Sequence, residues 1–156
     1  MDEYKLDFLS SKLIPLLKNL QATEMGKWGK MNAQQMIEHL AGFFSVSTNK
    51  INFPLVTLPE HLPKYKAFLL SDKEFRENTK APVLPEDPLP LKFTNINEAI
   101  HHLEDELHLF ITQFKKEPSL TSQHPVFGEL NFDEWVLLHY KHSVHHLKQF
   151  GLQQNQ

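Results

Sequence analysis

Several residue types are scarce or missing in this 156-residue chain, and each shortage excludes a class of protein. Cysteine is absent, which excludes disulfides, Cys-based zinc sites and a protein thiol nucleophile. The five glycines form neither a phosphate-binding loop nor a dinucleotide fingerprint. Lys and Arg number 16 against 19 Asp and Glu, so the chain lacks the basic excess of nucleic-acid-binding proteins. We therefore expect no nucleic-acid partner.

Long hydrophobic runs are missing as well. No apolar segment approaches the ~20 residues that span a bilayer, and the acidic start Met-Asp-Glu-Tyr-Lys lacks the layout of a signal peptide. We therefore expect a cytoplasmic protein with no membrane partner. The length fits a single domain over residues 1–156, since a second domain rarely fits below roughly 200 residues. Assembly into a homodimer is left open.

Hydrophobic periodicity predicts an all-α chain of four helices. The first runs from about Leu6 to Gln21, and Pro15 should kink it or delay its start to near Ser11. The other three begin at capping sequences, in which an Asn is followed three residues later by Gln or Glu. Their approximate ranges are 32–47, 95–117 and 131–151. The Gln-rich end, residues 153–156, should fray.

A long proline-rich segment, Thr48 to Phe93, separates the second and third predicted helices. It holds seven of the ten prolines, which exclude a long helix but allow a short one over Glu60 to Leu70. Connections this long usually have a functional or crossover role. A crossover lets the two flanking helices run parallel, and we expect the segment to close over one end of the helices and shape the mouth of a pocket.

Ten histidines are the unusual feature of the composition. Three of them point away from the apolar stripe of the third helix and are expected at the surface: His101, His102 and His108. The fourth helix differs, because several polar residues share its inward face with Trp135: His139, His142, His146 and Gln149. His142 and His146 are four residues apart, so their imidazoles lie one turn apart on one face. One helix can supply two nitrogen ligands to a metal in this way.

His39 is the inward-facing histidine of the second helix, among Met36, Leu40 and Phe43. Taken alone, it would be a hydrogen-bonded core histidine. Opposite the pair on the fourth helix, it completes a three-nitrogen site for a divalent metal, with positions left for water or substrate. Because the ligands must be neutral imidazoles, we expect binding to weaken below about pH 6.

Four further residues lie near this site, and two of them, His139 and His124, have two interpretations. Trp135 and Phe43 would form an apolar wall that excludes water. His139 would donate a hydrogen bond to substrate, or it is a buried, hydrogen-bonded spacer. His124, in the segment His-Pro-Val-Phe-Gly, lies near the mouth of the site or belongs to a turn that enters the fourth helix. No carboxylate base lies on the inward faces, and no catalytic side chain is identified.

The pattern of His39 on the second helix and His142-Ser-Val-His-His146-Leu-Lys-Gln149 on the last resembles the DinB-like superfamily of metal-binding four-helix bundles. Three segments resemble an uncharacterised bacterial branch of it: Trp28-Gly29-Lys30-Met31, His124-Pro125-Val126-Phe127-Gly128 and Lys141-His142 through Gln149-Phe150-Gly151. The resemblance covers nearly the whole chain. It implies an up-down-down-up bundle and a zinc or nickel ion held by His39, His142 and His146. Relatives include transferases and isomerases that use low-molecular-weight thiols, and proposed hydrolases.

Three functions fit these observations. A metalloenzyme would activate a small thiol or a water to attack a small-molecule substrate, and without Cys the thiol must come from a second small molecule. A metal- or small-molecule-binding bundle without catalysis fits the three histidines equally well. A purely structural bundle would bury them in hydrogen-bond networks. Metal analysis of untagged protein distinguishes the structural bundle from the metalloenzyme and the metal-binding bundle. Turnover assays then distinguish the metalloenzyme from the metal-binding bundle.

Overall fold

The computed structural model describes residues 1–152, and the expected fraying of residues 153–156 lies outside them. Helices make up most of the described chain, but a small two-stranded sheet means that the fold is not strictly all-α. The elements are α1 Glu3–Asp7, a π-helical turn Phe8–Lys12, α2 Leu13–Leu17, α3 Ala33–Ser47, a 3-10 turn Pro59–His61, α4 Leu62–Leu70, α5 Ile96–Lys116, β1 Ser122–His124, β2 Gly128–Leu130 and α6 Phe132–Gln149.

The first helix begins earlier and ends sooner than its hydrophobic pattern predicted. Asp2 caps it by accepting from the Lys5 N–H at 3.1 Å, and α1, the π-helical turn and α2 then follow without a break. The expected late start near Ser11 is therefore wrong. The widened π turn, Phe8–Lys12, contains Ser11, whose carbonyl would clash with the Pro15 ring in a regular helix. The backbone thus accommodates the proline without ending the helix.

Capping boxes start α3 and α6, as predicted. The Asn32 side chain accepts from the Gln35 N–H at 2.9 Å, while Gln35 accepts from the Asn32 N–H at 2.9 Å. Asn131 and Glu134 repeat this exchange at 2.9 and 3.0 Å. Each cap contributes about 1 kcal/mol. It also fixes the first residue of its helix, and therefore which residues of that helix face inward.

The two strands form an antiparallel hairpin that the sequence did not predict. Ser122 pairs with Leu130 and His124 pairs with Gly128, whose φ of +81° suits a residue without a side chain. The proline-rich segment adds to the hairpin, since the Val56 N–H donates to the Pro125 carbonyl at 2.8 Å. The hairpin thus connects that segment to the start of α6.

The middle of the segment 48–93 runs along the outer side of α6, and its last residues return to α3. Lys66 forms an ion pair with Glu134 near the start of α6, and Lys148 forms one with Glu74 near its end. Between them the Lys141 amine donates to the Ser71 carbonyl at 3.0 Å. The short helix predicted here is present as α4. Because these contacts follow the whole length of α6, the segment is a strap along that helix.

Contacts between helices give their relative directions. The Gln34 amide, near the start of α3, donates to the Phe93 carbonyl at 2.8 Å just before α5. Lys50, just after α3, lies 2.7 Å from Glu106 in the middle of α5, so these two helices run in the same direction. The α6 helix runs opposite to α3, since His139 contacts Ser47 and His142 contacts His39.

One apolar core fills the space between these helices. Its largest fully buried side chains come from most of the elements: Trp135, Phe44, Phe110, Phe114, Leu9, Leu13, Leu17, Met36, Ile37, Leu40, Leu69 and Leu103. No helix within residues 1–152 combines the length and the hydrophobicity that crossing a membrane requires.

Candidate metal centre

The fold brings together the three histidines that the sequence predicted as metal ligands. His39 comes from α3, and His142 and His146 come from α6. The His142 Nε2 lies 3.0 Å from the His39 Nε2 and 3.1 Å from the His146 Nε2. One nitrogen from each ring lies within 4.8 Å of the other two.

These separations suit a single ion. A tetrahedral metal about 2.0–2.1 Å from each nitrogen places neighbouring nitrogens roughly 3.3 Å apart. The 3.0 and 3.1 Å separations are slightly shorter, so small ring rotations suffice to make room for the ion. His146 is buried, while His39 and His142 are partly exposed, which leaves an approach from solvent. The donor set therefore fits a borderline divalent metal such as zinc or nickel.

Gln149 fixes the protonation of the His146 ring. Its Nε2 donates to the Trp28 carbonyl at 2.8 Å, which can only accept, so its Oε1 is the atom 2.7 Å from the His146 Nδ1. That Nδ1 must then carry the hydrogen. The His146 Nε2 is left with a free lone pair directed at the other two rings, as a metal ligand requires.

A glycine-containing loop holds Gln149 in this orientation. The Lys27 N–H donates to the Gln149 backbone carbonyl at 2.7 Å. A Cβ on Gly26 would lie 2.7 Å from the Gln149 Cγ. Gly29 has a φ of +76°, and a Cβ there would lie 2.9 Å from the Gln149 Nε2. Gly26 is a positioning residue that the sequence did not reveal, because only the three-dimensional contact assigns its role.

Burial keeps all three candidate ligands neutral. Burial, with a smaller contribution from nearby His145, lowers the pKa of His39 to about 4. Burial also holds the pKa values of His142 and His146 well below their usual range, and the neighbouring imidazoles add to this effect. Each ring then offers a lone pair at neutral pH. The loss of metal by protonation should begin below the pH of about 6 expected from unperturbed histidines.

Phe43 packs against two of the candidate ligands. Its half-buried ring lies 4.5 Å from the His142 ring and 5.0 Å from the His39 ring, measured between centroids. It also stacks on His124, with centroids 6.0 Å apart. Phe43 therefore contacts both His124 and the candidate centre.

His124 organises the hairpin turn. Its Nδ1 accepts from the N–H groups of Val126 and Phe127 at 3.0 and 3.3 Å. Burial lowers the pKa of the ring to about 3, so it is neutral. The contacts of His124 are therefore compatible with both of its interpretations. The ring holds the hairpin turn, and it also contacts Phe43, which packs against the candidate centre.

His139 and Trp135 lie deeper in the core than the candidate ligands. The His139 ring stacks between Phe44 at 3.8 Å and Trp135 at 5.2 Å. Its Nε2 lies 3.0 Å from the Ser47 Oγ. Because Ser47 donates its own hydrogen to the Phe44 carbonyl, the His139 Nε2–H is the donor in this bond. This geometry supports the interpretation of His139 as a buried, hydrogen-bonded spacer.

No carboxylate joins the three-histidine cluster in the described part of the chain. Glu38, beside His39 in sequence, turns toward the strap and accepts from the Lys92 N–H at 2.7 Å. His145 packs between Trp28 and Phe75, with centroids 5.5 and 5.9 Å away. The site therefore offers imidazoles and an apolar wall, but no acidic side chain.

Comparison with known proteins gives a family without an assigned activity. No curated protein and no solved structure matches the chain. A family model does match, over residues 5–153, and its description is "Protein of unknown function (DUF1569)". Since the match covers nearly the whole sequence, the chain belongs to the DUF1569 family.

Proposed function

We propose that this protein is a metal-dependent enzyme of the DinB-like type, in which His39, His142 and His146 bind one zinc or nickel ion. The observation that carries the proposal is the convergence of one nitrogen from each of the three rings within 4.8 Å, with His146 held in the ligating tautomer by Gln149. Three nitrogen ligands with room for a further group are typical of catalytic metal sites.

The helix directions support a four-helix bundle of up-down-down-up order. The α3 and α5 helices run together, and α6 runs against α3. The chain N-terminus lies 3.8 Å from Asp133 at the start of α6, and Phe8 contacts Tyr140 further along it at 5.2 Å. The first helix therefore runs in the direction of α6. The cytoplasmic location expected from the sequence stays a prediction.

The residues around the site suit an attack by a small anionic nucleophile. When bound, a divalent ion supplies a Lewis acid that lowers the pKa of a coordinated water or thiol. The three imidazoles are neutral ligands, so they leave the charge of the ion uncompensated. Phe43 covers one side of the centre and limits the access of bulk water. Since the chain has no cysteine, an attacking thiolate would belong to a second substrate.

The first experiment is metal analysis of untagged protein, purified and then equilibrated with zinc or nickel. We expect one ion per chain in the wild type and none in His142→Ala, because two nitrogens hold a metal poorly. His101→Ala is the matched control, since His101 is exposed on α5. Equal metal retention in His142→Ala and in the wild type would refute the site.

A metal-binding bundle without catalysis is the second candidate. The absence of an acidic side chain from the cluster, within residues 1–152, favours it, because no protein base is placed beside the ion. Thiol-consumption assays against chlorinated and epoxide electrophiles, with an ester panel beside them, distinguish the two. Turnover by metal-loaded wild type above the rate of His142→Ala supports the enzyme, and equal background rates on every substrate support the binding protein.

A further inference from the structure

Two neighbouring rings, Trp135 and His124, each carry an N–H donor that has no acceptor among residues 1–152. Trp135 is fully buried, and its Nε1 makes no hydrogen bond within the described residues. The His124 ring lies 5.7 Å from the Trp135 ring and is 6% exposed. Buried donors almost always have a partner. An unpaired donor at this position therefore indicates an acceptor that residues 1–152 do not supply.

The free nitrogen of His124 is also a donor. The Nδ1 accepts two backbone N–H groups, from Val126 and Phe127, so it carries no hydrogen. In a neutral imidazole the hydrogen then resides on Nε2. No protein acceptor among residues 1–152 binds that Nε2–H, and, unlike the Trp135 Nε1, this nitrogen is not one of the fully buried unpaired atoms of the described chain. The hairpin turn thus holds an N–H group in a fixed orientation next to the Trp135 indole.

The position of this pair relates it to the metal centre. Phe43 stacks on His124 at 6.0 Å and contacts His142 at 4.5 Å. The Phe43 ring thus links His124 to the three candidate ligands. A molecule that reaches from the donor pair to the centre must therefore extend past Phe43.

We infer that His124 and Trp135 bind the carboxylate of a small organic acid, whose reacting end lies at the three-histidine centre. A carboxylate only accepts hydrogen bonds, which matches two donors that lack acceptors, and such charge-assisted bonds are stronger than neutral ones. The inference deepens the proposed function, on which it rests for the identity of the reacting end. It names the substrate class as small acids.

Nuclear magnetic resonance can observe one of the two donors directly. The chain has two tryptophans, so the ¹H–¹⁵N spectrum contains two indole N–H signals, and the signal lost in Trp135→Phe belongs to Trp135. Zinc-free and zinc-loaded protein are titrated with sodium propanoate, against sodium chloride at equal ionic strength. We expect a saturable downfield shift of the Trp135 signal with propanoate only. The Trp28 signal serves as the internal control and should not move.

His124→Asn is the decisive variant, because its amide oxygen can replace Nδ1 in the turn while the Nε2–H is removed. Propanoate should bind it at least about tenfold more weakly than it binds the wild type, as expected for one lost hydrogen bond to a charged group. A titration of the His124 Nε2–H signal in the wild type tests the same contact without relying on the fold of the variant. That signal should saturate together with the Trp135 signal.

Three results would overturn the inference. They are an unmoved Trp135 signal, equal propanoate affinity in His124→Asn, and a Trp135 N–H that contacts only a resident water. An unmoved signal in protein that still binds zinc refutes the carboxylate site alone. A saturable shift in protein that fails to bind zinc supports the carboxylate site and refutes the proposed function.

Discussion

Replacement of Gln149 by Leu tests whether metal binding depends on the tautomer of His146 as well as on the presence of the three histidines. The change leaves His39, His142 and His146 in place but removes the acceptor 2.7 Å from the His146 Nδ1. Without that acceptor, the hydrogen of the neutral ring can reside on either nitrogen. When it resides on Nε2, the ring cannot coordinate a metal. We therefore expect zinc binding to weaken although every ligand remains.

The expected magnitude follows from the contacts of Gln149. Loss of a hydrogen bond to a ligating histidine typically lowers metal affinity by about 10–100-fold, or roughly 1.4–2.7 kcal/mol. The same change removes the 2.8 Å bond to the Trp28 carbonyl. A fully buried carbonyl that loses its donor costs about 1–3 kcal/mol of folding free energy, and the partly buried Trp28 carbonyl should cost less than that range. Zinc affinity and stability should therefore both decrease.

Competition with a zinc chelator measures the affinity, and urea unfolding of the zinc-free protein measures the stability. Gln149→Glu keeps an acceptor for the His146 Nδ1–H but loses the donor to Trp28. Its zinc affinity should stay within a few-fold of the wild type although it is less stable. Gln21→Leu is the control at an exposed position. If Gln149→Leu binds zinc as tightly as the wild type, Gln149 does not orient His146 and the reasoning fails.

Three further variants test neighbouring features. Gly26→Ala places a Cβ 2.7 Å from the Gln149 Cγ and should lower zinc affinity, whereas Gly42→Ala, with no neighbour within 4 Å, should leave it unchanged. Burial lowers the pKa of His124 to about 3, so the unfolded chain binds a proton more readily below about pH 6.5. Urea unfolding at pH 7, 6 and 5 should therefore show that this group lowers the free energy of unfolding by about 1 kcal/mol per pH unit as the pH falls. His124→Asn should lack this contribution. Equal pH dependence of the unfolding free energy in the wild type and in His124→Asn would contradict it. Asn131→Ala removes the α6 cap and should cost about 1 kcal/mol in the same assay.

The proximity of the three histidines could be predicted because their arrangement is largely local. Capping boxes at Asn32 and Asn131 fix where α3 and α6 begin. The helical period then places His142 and His146 on one face and His39 on the inward face of its own helix. Only the meeting of the two faces depends on tertiary structure, and packing of apolar faces brings them together.

The features that the sequence did not predict depend on contacts between distant residues or on very short elements. Three-residue strands are too short to show an alternating pattern, so the hairpin from Ser122 to Leu130 escaped prediction. The early helix start at Glu3 depends on a cap by Asp2 that lies outside the apolar stripe. The bond from Gln149 to Trp28 spans 121 residues, and no local pattern encodes it.

The energetics of the three histidines favour a ligand-binding role over a structural one. Burial disfavours the charged form of each ring, and the rings add little apolar packing in return, since His39 and His142 stay partly exposed. A structural network would pair each ring with its own donor or acceptor, as Ser47 does for His139. Here three Nε2 atoms face one another instead, and neutral rings that share a centre cannot all be satisfied. One cation accepts all three lone pairs at once, so a metal resolves an arrangement that hydrogen bonds alone leave incomplete.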